Sequence, residues 1–306
     1  MRRLVGGTGR VLVTAGVLLL AFVAYQLWGT GIFEARAQKQ LRDDFAAQLE
    51  AQGSPTSTTV PPTTVPPTTT TVPPTVPPAP LPMDGEATAI IRIPKIGVDK
   101  VVVEGTTVAD LRKGPGHYTG TPLPGQIGNA SIAGHRTTYG APFNTLDQLG
   151  ENDVISVQTL FGTYEYRVVK DGVFVVKPNQ SEVLDPPLPG AAILTLTTCN
   201  PKYSARERLI VRAELDVQES PPPLPPPPEL ASATEPIEID AGLSGERDSR
   251  QPTVLAGLVV ALIGALWWWL FHRHPRWTSW LVGIVPFAAA LFVFFAYLER
   301  VLPSNY

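Results

Sequence analysis

The 306-residue chain has one cysteine, four histidines and almost no excess of either charge, 24 Lys+Arg against 27 Asp+Glu. A single cysteine excludes an intramolecular disulfide framework and any multi-cysteine zinc or iron–sulfur centre. A net charge of −3 lacks the basic surplus of a polyanion binder, so no nucleic acid is expected as a partner. There is no glycine-rich phosphate loop and no strand–helix alternation, which argues against a nucleotide-binding fold. No acidic cluster suggests a cation site, and no metal or other cofactor is expected.

What is present is unevenly distributed. Val11 to Trp28 is uncharged and follows Arg2, Arg3 and Arg10. It is near the lower limit of the ~20 apolar residues of a membrane span. The alternative is a cleaved signal peptide, with Ala35-Arg36-Ala37 as the cleavage site; the run exceeds the ~7–15 residues of a signal-peptide core. Thr253 to Phe271 and Trp277 to Leu298 are two further apolar blocks, separated by His272-Arg273-His274-Pro275-Arg276. So short a loop makes the pair a helical hairpin. Trp267, Trp268, Trp269, Trp277 and Trp280 mark its interfacial end. The positive-inside rule puts Arg2, Arg3, Arg10, Arg273 and Arg276 in the cytoplasm. The expected product is a multi-pass cell-membrane protein with its central module outside.

Two proline-rich stretches flank that module. Eleven of the 33 prolines lie between Gly53 and Pro82 and eight between Ser220 and Pro236. Such sequence cannot bury a core and favours extended polyproline II. Before the first stretch, Ala37, Leu41, Phe45 and Leu49 recur every four residues, the stripe of an amphipathic helix. We expect this helix to lie on the membrane or to pair with another copy. The resulting division is 1–30 cytoplasmic tail and first span, 31–52 juxtamembrane helix, 53–85 linker, 86–218 folded module, 219–252 linker and 253–306 membrane hairpin.

The module, about 130 residues and close to the modal domain size, reads as all-β. Short β-rich runs fall at Ala89–Ile93, Val98–Glu104, Ala130–Ala133, Val154–Gln158, Thr163–Val169, Gly172–Val176, Ala191–Thr198 and Arg208–Leu215. This spacing predicts a barrel or sandwich. Thr107–Leu111 and Pro142–Leu149 read as brief helical turns, and Asp171-Gly172 as a hairpin turn.

Strand alternation turns Leu194 and Leu196 to one face and Thr195, Thr197 and Cys199 to the other. That places the cysteine at a strand end, off the core side and exposed. A lone cysteine is more often a small buried hydrophobe. An exposed extracellular thiol is an oxidation liability and calls for a reason, such as nucleophilic catalysis. A thiolate at neutral pH needs a nearby cation or imidazolium. The module has two histidines, His117 and His135. His135, after an apolar run and beside Gly134, is favoured over His117, whose Gly116-His117-Tyr118 setting suits a turn-stabilising hydrogen bond. Acyl transfer also needs an oxyanion stabiliser. Arg206, Arg208 and Arg212 share one parity; Arg208, opening the Leu209-Ile210-Val211 run, is best placed, and Arg206, on the same face, is the alternative.

Thr195-Leu196-Thr197-Thr198-Cys199 matches the T-L-x-T-C signature of sortases. With the block Thr121 to Arg136, the arginine after the cysteine and Cys199-Asn200-Pro201, the chain from Ala89 to Val217 resembles class E, the housekeeping sortases of high-GC Gram-positive bacteria. The resemblance implies an eight-stranded β-barrel and a cysteine transpeptidase. Cys199 would be nucleophile, His135 general acid/base, and Arg208 would steady substrate and oxyanion. The implied substrates are surface proteins with C-terminal LAXTG- or LPXTG-like sorting signals, cut between Thr and Gly. The implied acceptor is the amine of a lipid II-like peptidoglycan precursor. A C-terminal membrane segment is reminiscent of pilin-polymerising class C enzymes, but Leu81 to Glu86 lacks their Asp-Pro-aromatic motif, which favours protein anchoring. A plain cysteine hydrolase and a non-catalytic wall-spanning binding module are the remaining alternatives.

Overall fold

The computed structural model describes residues 2–53, 82–185, 188–231, 239, 242–243, 250–272 and 277–301. Most of the expected 53–85 linker, the hairpin loop carrying Arg273 and Arg276, and the tail 302–306 lie outside the described residues.

The chain begins with α1 (Arg2–Ala24), which runs through a π-helical turn (Tyr25–Gly29) into α2 (Thr30–Gly53). Eight strands follow: β1 (Ala87–Ile93), β2 (Val98–Glu104), β3 (Gly116–His117), β4 (Gly128–Ala133), β5 (Val154–Thr159), β6 (Gly162–Val176), β7 (Ala192–Asn200) and β8 (Glu207–Leu215). They close a barrel in the order β1-β2-β3-β4-β7-β8-β6-β5. The pairs β2–β3 and β4–β7 are parallel, and the other neighbours antiparallel. One-turn helix α3 (Val108–Leu111) is capped by Thr107, whose side chain accepts from the Asp110 amide, satisfying a helix-end donor. Beyond the barrel come α4 (Pro228–Ala231), α5 (Arg250–Phe271) and α6 (Trp277–Val301).

The barrel interior is filled by alternate residues of every long strand, among them Ile91, Val102, Ile132, Val157, Tyr166, Leu194, Leu196 and Val211. Close packing of such a core is the main stabilising term. Strand β7 is buried on both faces. Leu194 and Leu196 point inward, while Cys199 joins a second, outer cluster with Leu111, Tyr118, Ala133 and Ile210.

Three readings of the sequence are corrected. Asp171-Gly172 is not a hairpin turn. Tyr166–Val168 and Val173–Val176 pair with the same strand, β8, and the register shifts between Val168 and Val173. Asp171, at φ 54°, therefore sits in a bulge within one 15-residue strand. Strand β3 went unread because two residues carry no alternation; the expected number of strands is reached because one was split and another missed. The amphipathic helix also has a different target. Leu41 and Phe45 are buried with Ala87, Ile90, Val101 and Val103 of the barrel wall. Gln38 continues the docking as a strand would. Its Oε1 accepts from the Val101 amide at 2.7 Å, and its Nε2 donates to the carbonyls of Val101 and Lys113, both at 2.9 Å. Lys100 reaches the buried Glu34 at 2.6 Å. Gln38→Ala should destabilise this junction by about 1–3 kcal/mol, the cost of orphaning buried backbone groups, read as a lower Tm.

Two helical stretches, Arg250–Phe271 and Leu281–Val301, are long and apolar enough to cross a membrane. Among the described residues the apolar part of α1, Leu12–Ala24, is shorter.

Candidate active site

The parallel pairing of β4 with β7 builds the site. Ser131 lies opposite Thr195 and Ala133 opposite Thr197. The same offset carried two residues further would set His135 level with Cys199. Hydrogen bonds extend the pairing past the end of β4. The Gly134 amide donates to the Thr197 carbonyl at 3.0 Å, and the Thr198 hydroxyl to the Gly134 carbonyl at 2.7 Å. Glycine is required at 134 because a Cβ there would stand 2.5 Å from the Phe143 ring.

From the other side, β8 pairs with β7 so that Arg208 is directly opposite Cys199. Arg208 is fully buried, and its Nη1 donates to the carbonyls of Ala205 and Glu207 at 2.9 and 3.0 Å. Arg206, of the same parity, is exposed, and Arg212 instead donates to the Val183 carbonyl and lies over the Phe174 ring. The structure thus gathers Cys199, His135 and Arg208 at one end of β7 and leaves Arg206 and Arg212 away from it. His117 is held elsewhere, with Nδ1 2.8 Å from Glu104 and Nε2 2.9 Å from the Pro122 carbonyl. Both ring nitrogens are satisfied, as a turn-stabilising histidine requires.

Arg136 was not singled out by the sequence. Its Nη1 donates to the Cys199 carbonyl at 3.1 Å and to Asn200 Oδ1 at 2.7 Å, and Nη2 pairs with Asp147 at 3.0 Å. It holds the backbone carrying the cysteine. The signal was its place next to His135, but strand parity cannot describe a residue beyond the strand end. Asn129, within β4, also went unassigned: its amide donates to the carbonyls of Val183 and Leu184 and its oxygen accepts from Thr195, tying the β6–β7 connection to the strand that carries Cys199.

The cysteine is not exposed, contrary to the alternation argument. It is only 1% accessible, because the outer face of β7 is itself covered. Ile239 and Leu243, from beyond the second proline-rich stretch, are buried in the cluster that contains Cys199. The Tyr118 hydroxyl donates to the Ile239 carbonyl at 2.7 Å, and Gly242, at φ +68°, packs against the Thr106 carbonyl. His135 is equally dry. Neither ring nitrogen has a hydrogen-bond partner among the described residues. Burial, with a smaller contribution from the Arg112 charge, pushes its pKa down to about 3. In this covered arrangement burial favours the neutral imidazole.

Residues 91–216 match the family model for the sortase domain. Among curated proteins, Sortase SrtE1 of Streptomyces coelicolor is 32% identical over 70% of this chain and 57% of its own length. Sortase SrtE2 of the same organism is 29% identical over 68% of this chain and 80% of its own. This chain therefore spans little more than half of the first of these relatives. A solved sortase E from Streptomyces avermitilis is 34% identical over 45% of this chain and 97% of that one, with a TM-score of 0.39. The signature around Cys199 lies inside the matched segment, and residues 91–216 are a sortase domain.

Proposed function

We propose that this chain is a membrane-anchored cysteine transpeptidase that cuts an LAXTG- or LPXTG-like sorting signal between Thr and Gly and joins the protein to a cell-wall precursor amine. The observation that carries the reading is the convergence of Cys199, His135 and Arg208 at one end of β7, the first two aligned by β4 and the third by β8.

The Cys199 thiolate attacks the carbonyl carbon of the Thr–Gly bond. Arg208, preorganised by its bonds to Ala205 and Glu207, steadies the oxyanion that develops. The C–N bond breaks as the His135 imidazolium, formed once the site is uncovered and water reaches the ring, gives its proton to the departing glycine amine, leaving a thioester on Cys199. An incoming amine attacks the thioester, His135 takes its proton, the C–S bond breaks and the thiolate returns. No cofactor enters these steps. The resemblance to class E relatives favours the LAXTG form of the signal.

Three membrane spans with the barrel outside agree with where the helices end. The last turn of α6 and the turn after α1 meet beside the barrel, where the Tyr25 hydroxyl donates to Glu299 at 3.3 Å. The start of α5 joins them through a 3.0 Å bond from Thr253 to the Tyr297 carbonyl. The opposite ends of these helices are those nearest Arg2, Arg3 and Arg10 and the hairpin arginines. The outer faces of α5 and α6 leave Leu255, Leu258, Leu262, Val282 and Val285 uncovered, a surface that water does not tolerate over such an area.

The test is mass spectrometry of the full chain in detergent with LAXTG and LPXTG peptides and an oligoglycine or diaminopimelate-type amine. An amine-ligated product cleaved after Thr is expected, with LAXTG the better peptide. Cleavage indifferent to the amine would mean a hydrolase, and no product a binding module.

A further inference from the structure

The wall behind His135 is not made by the barrel alone. The Tyr139 ring packs on the imidazole, with ring centroids 5.1 Å apart. Tyr139 is a buried non-glycine residue at φ 49°. Such a conformation persists only where the surroundings over-determine it. Here they come from both ends of the chain. The Tyr139 amide donates to Thr30 Oγ1 at 3.2 Å, and that hydroxyl donates to the Gln26 carbonyl at 2.7 Å. Both partners lie where the π-helical turn passes into α2, a kind of irregularity often found at functional sites. Gly140, the next residue, leaves no room for a side chain, since a Cβ there would meet the Glu34 carboxylate of α2 at 2.6 Å. The Arg112 guanidinium stands 5.3 Å from the Tyr139 ring centroid and 5.9 Å from that of Phe33 in α2. On the far side, the Glu299 carboxylate near the end of α6 interacts with the Tyr139 hydroxyl and accepts from Tyr25.

We propose that Tyr139 is a positioning residue for His135, and that Glu299 of the C-terminal membrane hairpin, through Tyr139, sets the orientation of the imidazole. The proposal rests on the reading of His135 as acid/base. It gives the hairpin a part in catalysis besides anchorage: the ring that backs His135 is clamped between the start of α2 and α6, so displacing α6 moves the imidazole relative to Cys199. A misplacement of ~1 Å at a reacting group can cost ~100-fold in rate.

The experiment uses the full-length enzyme in nanodiscs with the sorting peptide and amine described above. Tyr139→Leu, which removes the ring, should lower kcat by about 10- to 100-fold with KM within about twofold of wild type. Glu299→Ala should lower kcat several-fold in the same pattern, and Glu299→Gln, which keeps an acceptor for Tyr139, should recover most of the loss. Tyr139→Phe and Glu299→Ala combined should be no worse than the more damaging of the two, because both break one contact. Thermal unfolding of each variant distinguishes a lower kcat from a smaller folded fraction. A folded Glu299→Ala enzyme with wild-type kcat, or losses matching the unfolded fraction, would overturn the proposal. His135→Asn with undiminished activity would instead overturn the acid/base reading, and the proposal with it.

Discussion

Cys199→Ala is expected to lower ligation of a sorting peptide by at least about a thousandfold, because removing the nucleophile of a covalent mechanism leaves only binding and electrostatic assistance. A methyl replacing the thiol at a 1% exposed position is a small steric change, so the fold should survive and the variant should still bind peptide. Arg208→Lys is the sharper companion. Lysine keeps the charge but not the planar guanidinium, which in Arg208 is anchored by Nη1 on the Ala205 and Glu207 carbonyls and leaves further N–H donors for an oxyanion. Losing that preorganisation opposite the cysteine should cost about 10²–10³ in kcat, the scale of one oxyanion donor. Arg206→Ala, at an exposed position, should stay within about twofold. Steady-state rates of the three variants decide the assignment. An Arg206→Ala enzyme as damaged as Arg208→Lys would reverse it, and an active Cys199→Ala enzyme would end the covalent mechanism.

Ile239→Asp is expected to speed alkylation of Cys199 by roughly 30- to 150-fold. Burying an isoleucine is worth about 2–3 kcal/mol, and each ~1.4 kcal/mol is a factor of ten in an equilibrium between covered and uncovered forms. The variant makes burial at 239 unfavourable and should populate the uncovered form. His135 is expected to report the same event. Its pKa near 3 in the covered form should return toward the ordinary ~6.5 once water reaches the ring. The sign follows from proton linkage. A histidine whose pKa is depressed in the covered form favours that form fully above ~6.5, and the advantage is lost as pH falls from ~6.5 toward 3. Iodoacetamide labelling read by mass spectrometry at pH 7.5, with histidine titration by NMR, measures both. A wild-type Cys199 that alkylates as fast as a free thiol would sink the prediction, as would a wild-type His135 already titrating near 6.5.

Much of the barrel is legible along the chain. β2 is bounded by Val98 and Glu104 in both readings, and the inward turn of Leu194 and Leu196 follows from period two alone. What failed are the places where a neighbouring strand decides. Asp171-Gly172 has the composition of a hairpin turn, but β8 offers partners on both sides of it, so the ladder resumes and the turn becomes a bulge. Gly116 and His117 become a strand only because Val103 and Glu104 lie on one side and Ile132 and Ala133 on the other. The stripe of Leu41 and Phe45 says that one helix face is buried, but not against what.

The candidate site divides in the same way. From the residues alone came the nucleophile candidate in Thr195-Leu196-Thr197-Thr198-Cys199, the preference for His135, and the set of arginines sharing one parity. These are local properties: side-chain chemistry, strand periodicity and a short signature. Only the tertiary structure separates Arg208 from Arg206, because opposition to Cys199 is a matter of register between two strands. It alone shows that Cys199 and His135 are dry, because what covers Cys199 lies some forty residues further along the chain at Ile239 and Leu243. And it alone places Tyr139 between His135 and Glu299. Periodicity reports which face of an element is apolar; burial and pKa depend on what packs on that face, and here that comes from segments distant in sequence.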